Sequence, residues 1–137
     1  MVTLLTGKKG SGKTKKLIEL VNVALEKSNG NVVVIEKGKE IPYNIPYAAR
    51  RVDSDAYDIK GAQNLQGFIC GICAGNYDVT DIFVDSTLKI TGTGAGEIEA
   101  LVEELKKLSQ SADTKIVLSV SAAVEDLRAG IMDCVLK

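Results

Sequence analysis

The sequence predicts an α/β protein, a three-layer α/β/α sandwich around a mainly parallel sheet of about five to six strands. Short apolar runs rich in β-branched residues recur along the chain, and longer segments with apolar residues at helical spacing separate them. Strands that alternate with helices pair in parallel, with helices covering the sheet. The 137 residues are the usual length of one domain, so we expect residues 1–137 to share a single core.

The N-terminal third reads as strand, helix, strand. The segment "VTLLT" at 2–6 is a short apolar run that ends at Gly7, which predicts a buried strand. A helix with one apolar face follows, marked by Leu17, Leu20, Val21, Ala24 and Leu25. After the turn signal "SNGN" at 28–31, the β-branched run "VVVIE" at 32–36 predicts a central strand.

The middle of the chain is less regular. The prolines Pro42 and Pro46 predict a surface excursion without regular helix over 37–50, and "RRVDSD" is typical of a short edge strand. A buried helix is expected over Gly61–Asn76, although two glycines interrupt its apolar pattern.

The C-terminal half continues the alternation. The run "DIFVDS" at 81–86 predicts a strand, "TGTGAG" at 91–96 a flexible loop, and the spacing over 98–108 an amphipathic helix in which Glu103 and Lys107 pair. A strand is expected for "TKIVLSVS" at 114–121, a short helical segment from Ala122 to Arg128, and a final strand for "IMDCVL" at 131–136.

Composition excludes several classes of protein. A net charge of −1 provides no general attraction to nucleic acid or anionic membrane. No run approaches the ~20 apolar residues of a membrane span and no signal segment opens the chain, so we expect a cytoplasmic protein. Three cysteines do not suggest a disulfide framework.

The turn between the first strand and the first helix carries the chemistry. Gly7, Gly12, Lys13 and Thr14 match G-x-x-x-x-G-K-[ST], and the strand and helix that this motif needs flank it. Glycines let backbone N–H groups converge on a phosphate, and the helix N-terminus adds partial positive charge. The neighbouring lysines, among them Lys15, open a solvated helix and can steer an anionic ligand toward the loop.

This loop resembles the Walker A loop of P-loop nucleotide-binding proteins, and the chain as a whole resembles a minimal RecA-like ATPase core of the additional-strand type. It is also similar to small, uncharacterised bacterial ATP-binding proteins named after twitching-motility ATPases, although without any histidine it cannot carry the histidine box of the pilus motors. The resemblance implies a P-loop nucleotide-binding domain in which Lys13 reaches the β- and γ-phosphates and Thr14 binds Mg²⁺. It makes these loop residues the nucleotide-binding candidates: Gly7, Gly10, Ser11, Gly12, Lys13, Thr14 and Lys15.

Polar residues that follow later strands complete the predicted site. Asp85 ends an apolar run and resembles the Walker B acid, which orients Mg²⁺. Ser119 and Ser121 lie on the next strand, where related ATPases carry a polar sensor of the γ-phosphate. We expect side-chain alternation to let only one of the two serines face the site. A capping role is the alternative for Asp85 and for at least one serine.

Two departures bear on the reaction class. Ser86 stands where many such ATPases have a catalytic glutamate, which puts efficient hydrolysis in doubt. Glu97 and Glu99 could reach back toward the site, but acids also favour the start of a helix. The chain has three arginines, Arg50, Arg51 and Arg128, too few for the lid of a small-molecule kinase.

Other candidate groups favour simpler interpretations. Cys70 and Cys73 form C-x-x-C, but with no histidine and one further thiol the chain does not favour a zinc site, and we expect buried core residues, with a redox pair as the alternative. Three tyrosines, Tyr43, Tyr47 and Tyr57, could stack on a base, and the absence of N-K-x-D favours ATP over GTP.

The sequence thus predicts a Mg-ATP-binding protein with slow or partner-stimulated hydrolysis, with Lys13 and Asp85 as catalytic candidates and ATP and Mg²⁺ as ligands. The alternatives are a non-hydrolysing nucleotide-responsive interaction module, with "STLKITGTGAG" at 86–96 as its switch, and a small phosphotransferase. A homo-oligomer or a protein partner stays open.

Overall fold

The computed structural model describes residues 1–38 and 45–136, and these form an α/β fold with one five-stranded sheet. All its strand pairs are parallel, in the order β1-β5-β4-β2-β3. The strands are β1 (Val2–Gly7), β2 (Asn31–Glu36), β3 (Arg50–Asp53), β4 (Val79–Val84) and β5 (Lys115–Ser121). The predicted parallel sheet and the short edge strand β3 are therefore confirmed, whereas Pro42 and Tyr43 lie outside the described residues.

Four α-helices accompany the sheet in the described residues: α1 (Lys13–Lys27), α2 (Ala62–Gly75), α3 (Thr87–Thr91) and α4 (Glu99–Ala112). Short 3₁₀ helices occupy Ser54–Tyr57, Ala95–Glu97, Val124–Asp126 and Ala129–Cys134. The helices α1, α2 and α4 were predicted. The helix α3 was not, because its five residues are too few to establish a period.

Two hydrophobic clusters cover opposite faces of the sheet, because successive residues of a strand point in opposite directions. Leu5, Phe83 and Val117 pack with Leu17 and Val21 of α1 on one face. The other cluster combines the alternate strand residues with the apolar faces of α2, α3 and α4: Leu4, Ile35, Ile82, Leu118, Leu65, Ile69, Ile90 and Leu105. This arrangement is consistent with the predicted three-layer sandwich.

The C-terminal predictions were partly wrong. Residues 131–136 do not form a strand, because Ala129–Cys134 is a 3₁₀ helix and only Val135 bridges to Leu4. Ile131 and Cys134 are both buried, and their separation of three residues is one 3₁₀ turn. The helical segment expected over 122–128 shortens to Val124–Asp126, and the loop expected over 91–96 includes the end of α3.

The ion pairs of α4 also differ from the prediction. Lys107 bonds to Glu104 at 3.2 Å, and Glu103 pairs with Lys106 at 3.4 Å, so both pairs span three residues and the expected Glu103–Lys107 pair is not formed. Lys106 also reaches Asp133 at 3.3 Å and thereby ties α4 to the C-terminal 3₁₀ helix.

Candidate functional site

The loop between β1 and α1 contains three glycines in positive-φ conformations. Gly7, Gly10 and Gly12 have φ of 144°, 85° and 90°. Gly12 is the N-cap of α1, and the first helical hydrogen bond joins the Lys16 N–H to the Gly12 carbonyl at 3.1 Å. The N–H groups of Lys13, Thr14 and Lys15 therefore have no hydrogen-bond acceptor within the helix, as at any helix start. They can donate to a bound anion.

Gly7 is required by the packing of the loop as well as by its conformation. A Cβ on Gly7 would lie 2.3 Å from Oγ and 3.1 Å from Cβ of Ser11. By contrast, a Cβ on Gly10 or Gly12 would meet no atom of the described residues within 4 Å. Gly7 thus lets the chain fold back against its own strand. Gly10 and Gly12 are favoured only because glycine adopts a positive φ without strain.

The side chain of Lys13 lies inside the turn. Its Nζ donates a hydrogen bond to the carbonyl oxygen of Lys8 at 3.1 Å, which closes the loop on itself. Burial lowers the pKa of Lys13, and the nearby charge of Asp85 opposes that shift. The lysine and the acid, 72 positions apart in sequence, line the same cleft.

Asp85 follows β4 and is held at the end of the sheet. Its N–H donates to the carbonyl of Ile35 at 2.8 Å, and its carboxylate accepts a hydrogen bond from Ser86 Oγ at 3.3 Å. Asp85 is 7% exposed, and burial raises the pKa of its carboxyl group, while Ser86 and Lys13 act to lower that pKa. Ser86 itself adopts the left-handed conformation, with φ 53° and ψ 45°, and begins α3.

A cleft of about 440 Å³ joins these groups at the carboxyl ends of the strands. Most of the predicted site residues line it, together with Lys9, Ser86, Leu88 and Lys89. The predicted residues in the wall are Gly10, Gly12, Lys13, Thr14, Lys15, Asp85, Ser119 and Ser121. Four lysines and only one carboxylate, that of Asp85, are among the described residues that line the cleft, so the cleft is suited to an anionic ligand.

Ser119 and Ser121 both line the cleft, and the expectation that only one could do so was wrong. Residues two apart on a strand point to the same face, so the alternation of side chains brings them together. Val117, two residues earlier, packs on the same side of the sheet as α1, in agreement with this orientation.

Glu36, a buried acid beside Asp85, was not predicted from the sequence. Glu36 ends β2, the strand next to β4, and the register of Ile35 with Val84 places it level with Asp85. It is 2% exposed, and Nε and Nη2 of Arg51 each donate to its carboxylate at 2.9 Å. The available signal was an acid directly after a β-branched run, the pattern that identified Asp85.

Several other candidates lie elsewhere. Gly7 supports the loop without lining the cleft, and Ser11 lines an adjoining hollow that shares Gly12 and Lys13 with the cleft. Glu99 packs by Gly130, where a Cβ would stand 3.2 Å from its Oε2, and Glu97 is exposed outside the cleft.

The cysteines and the described tyrosines also lie away from the cleft. Cys73 is buried and Cys70 half-buried, both as free thiols on α2, and burial raises the pKa of Cys73. Tyr47 and Tyr57 are absent from the lining of the cleft, so the structure brings neither of them to a base bound there.

The residues present fit a cation that is held mainly by phosphate and water. Among the described residues no three His, Cys, Asp or Glu side chains converge to form a metal cage. Mg²⁺ bound with a nucleotide usually takes only one or two protein oxygens, and Thr14 and Asp85 line the same cleft.

No protein-family model matches this sequence, and no curated protein matches it significantly. Within residues 1–38 and 45–136, every helix is too short or too polar to cross a membrane.

Proposed function

We propose that this protein binds Mg-ATP in the cleft at the carboxyl ends of its strands. The observation that carries the proposal is the convergence of the G-x-x-x-x-G-K-T loop, Lys13 and Asp85 on one cavity of about 440 Å³. Ligands of open parallel sheets occupy this edge. A polyphosphate would replace the Lys8 carbonyl as the partner of Lys13 Nζ, and the loop N–H groups would surround it.

The order of the strands supports the additional-strand type of P-loop ATPase. The strand β5 lies between β1, which leads into the loop, and β4, which leads to Asp85. Its two serines therefore enter the cleft between Lys13 and Asp85, the position expected of a phosphate sensor. In this interpretation Thr14 and Asp85 would hold Mg²⁺, which neutralises phosphate charge when bound.

Glu36 supplies the second acid that Ser86 does not. Its carboxylate is buried, paired with Arg51 and level with Asp85 on the neighbouring strand. Glu36 does not itself line the cleft, so as the base it would take the proton of the attacking water through one intervening water molecule. This supports slow hydrolysis, with Glu36 in place of the glutamate expected after Asp85.

A non-hydrolysing, nucleotide-responsive module is the second candidate. The supporting observation is the left-handed Ser86, which bonds to Asp85 and begins α3, so that Leu88 and Lys89 face the cleft. A terminal phosphate bound near Asp85 would lie next to Ser86 and the start of α3, and could change the conformation of this segment. A phosphotransferase is less well supported, since no arginine is among the described residues that line the cleft.

Calorimetry with Mg-ATP and Mg-ADP, followed by phosphate release from the same samples, tests the proposal. We expect saturable binding by the wild type and an affinity for ATP at least tenfold weaker in Lys13→Ala, because a hydrogen bond from a charged donor contributes about 1.5–3 kcal/mol. Lys107→Ala on α4 is the matched control and should bind normally. Folded wild-type protein that binds neither nucleotide would refute the proposal.

A further inference from the structure

An apolar groove lies away from the nucleotide cleft, between α2 and the edge of the sheet. Its volume is about 540 Å³. Val33, Val52 and Val79 are buried in its floor, and Phe68 and Ile72 of α2 form one wall. Arg50 is the one charged residue among its described lining residues. An apolar surface of this kind, exposed to solvent, is typical of a protein–protein contact.

One exposed tyrosine lines the groove, and two more adjoin lining residues in sequence. Tyr57 lines it and stacks on Phe68, with ring centroids 6.4 Å apart. Tyr47 directly precedes the lining residue Ala48, and Tyr77 directly follows the lining residue Asn76. Their relative exposures are 59% for Tyr57, 104% for Tyr47 and 95% for Tyr77. Tyrosine is enriched in protein interfaces because it combines a large apolar ring with a hydroxyl group.

The outer surface of α2 has no charge. Its sequence, AQNLQGFICGICAG, lacks Asp, Glu, Lys and Arg, although Gln63, Asn64 and Ala74 are exposed. The exposed faces of α1 and α4 carry ion pairs instead, Lys16 with Glu19 and Lys107 with Glu104. An uncharged outer face distinguishes α2 from the solvated helices of the same fold.

The glycines of α2 are not explained by packing within one chain. Gly67, Gly71 and Gly75 recur every four residues, and a Cβ on any of them would meet no heavy atom of residues 1–38 and 45–136 within 4 Å. Glycine is unfavourable inside a helix, so these positions lower the stability of α2 without relieving a clash. Missing side chains allow a second helix to approach the backbone closely.

We propose that the groove is the interface of a homodimer in which α2 of one copy packs across α2 of a second copy around a two-fold axis. Pairing α2 with α1 or α4 would place Lys and Glu side chains against a helix that carries no charge of its own. Pairing α2 with itself buries no charged residue of either helix, and a two-fold axis brings the same patch from both copies together.

The available surface is adequate for a stable dimer. A fully buried tyrosine contributes about 150–250 Å². Tyr47 and Tyr77 could therefore supply roughly 300–500 Å² of the ~800 Å² per copy that a standard interface buries. The groove and the exposed face of α2, about 21 Å long at 1.5 Å per residue, supply the remainder. The inference is independent of nucleotide binding.

Sedimentation equilibrium of the full chain, at concentrations up to about 100 μM, measures the dimer directly. We expect twice the chain mass of 14.6 kDa for the wild type and the chain mass itself for Gly71→Glu, which places a charge at the centre of the contact. Gln110→Glu adds the same negative charge at an exposed position of α4. It is the matched control and should remain dimeric. Circular dichroism should show all three proteins folded.

A second variant addresses the interface without altering α2. Tyr77→Ala removes a ring that is almost entirely in solvent, and should weaken the dimer at least tenfold while leaving the unfolding of the monomer unchanged. A wild type that stays monomeric over the whole concentration range would overturn the proposal. A Gly71→Glu protein that remains as dimeric as the wild type would also overturn it, because the contact would then lie on another surface.

Discussion

Arg51 holds Glu36 through two parallel hydrogen bonds of 2.9 Å, although Arg51 lies on the edge strand and Glu36 is almost completely buried. Arg51 thereby compensates the buried negative charge of Glu36, which would otherwise lie unpaired next to Asp85. Hydrogen bonding to Glu36 raises the pKa of Arg51, so the guanidinium stays charged. The edge strand is thereby tied electrostatically to the site.

Removing this arginine should destabilise the fold. We expect Arg51→Ala to lower the free energy of unfolding by about 2–3 kcal/mol, because losing one partner of a buried ion pair costs 3–5 kcal/mol and the 38% exposure of the Arg51 side chain reduces that figure. Urea denaturation measures the difference. Lys60→Ala, which breaks the exposed pair with Asp58, is the control and should change stability by less than about 1 kcal/mol. Equal effects of the two substitutions would contradict this account.

Gly7 and Gly10 should respond differently to alanine. Gly7→Ala combines a positive φ with a contact of 2.3 Å to Ser11 Oγ, so the loop must shift and nucleotide affinity should fall at least tenfold. Gly10→Ala has only its positive φ of 85° to accommodate and should cost about 1 kcal/mol of stability. Calorimetry and thermal unfolding of both variants separate the two causes. A second change, Ser11→Gly, should partly rescue Gly7→Ala but not Gly10→Ala.

Asp85 should make the Mg²⁺-free protein less stable as the pH rises. Burial raises the folded-state pKa of Asp85 above its ordinary 3.8, so between these two pKa values the folded state binds more protons than the unfolded state. The charged carboxylate is the form that burial destabilises, and this free-energy cost to the folded state is fully present above the folded-state pKa. Asp85→Asn should therefore be more stable than the wild type at pH 7, and this advantage should disappear below pH 3.8. Unfolding curves across this range, with Asp81→Asn as control, test the sign.

Glu36 should be needed for turnover and not for binding. We expect Glu36→Gln to bind Mg-ATP normally and to lose hydrolysis by about 10²- to 10⁴-fold, the usual contribution of a general base. Phosphate release measured under multiple turnover provides the test. Glu97→Gln and Glu99→Gln change acids just before and at the start of α4, not at a strand end beside Asp85, and should hydrolyse at the wild-type rate. A full rate in Glu36→Gln would exclude Glu36 as the base, and a wild type that binds without turnover would favour the switch module.

The local sequence pattern was sufficient to predict those elements whose conformation follows from their own side-chain periodicity. The β-branched runs that became β2 and β5 and the apolar stripe of α4 depend on side-chain periodicity, which the sequence displays directly. Helix α3 escaped prediction because its five residues, which follow a left-handed Ser86, are too few to display a helical period. The last predicted strand failed for a similar reason, since an apolar hexapeptide is compatible with either a strand or a 3₁₀ helix.

By itself, the sequence determined the α/β class, the strand-loop-helix around Lys13 and the candidacy of Asp85, because each depends on neighbours within a few residues. Tertiary structure alone decided that β5 separates β1 from β4, that both serines enter the cleft, and that Glu36 stands beside Asp85 with Arg51 as its partner. It also left the glycine face of α2 open to solvent. Strand order and burial join residues dozens of positions apart, and no local periodicity encodes which parallel strands become neighbours.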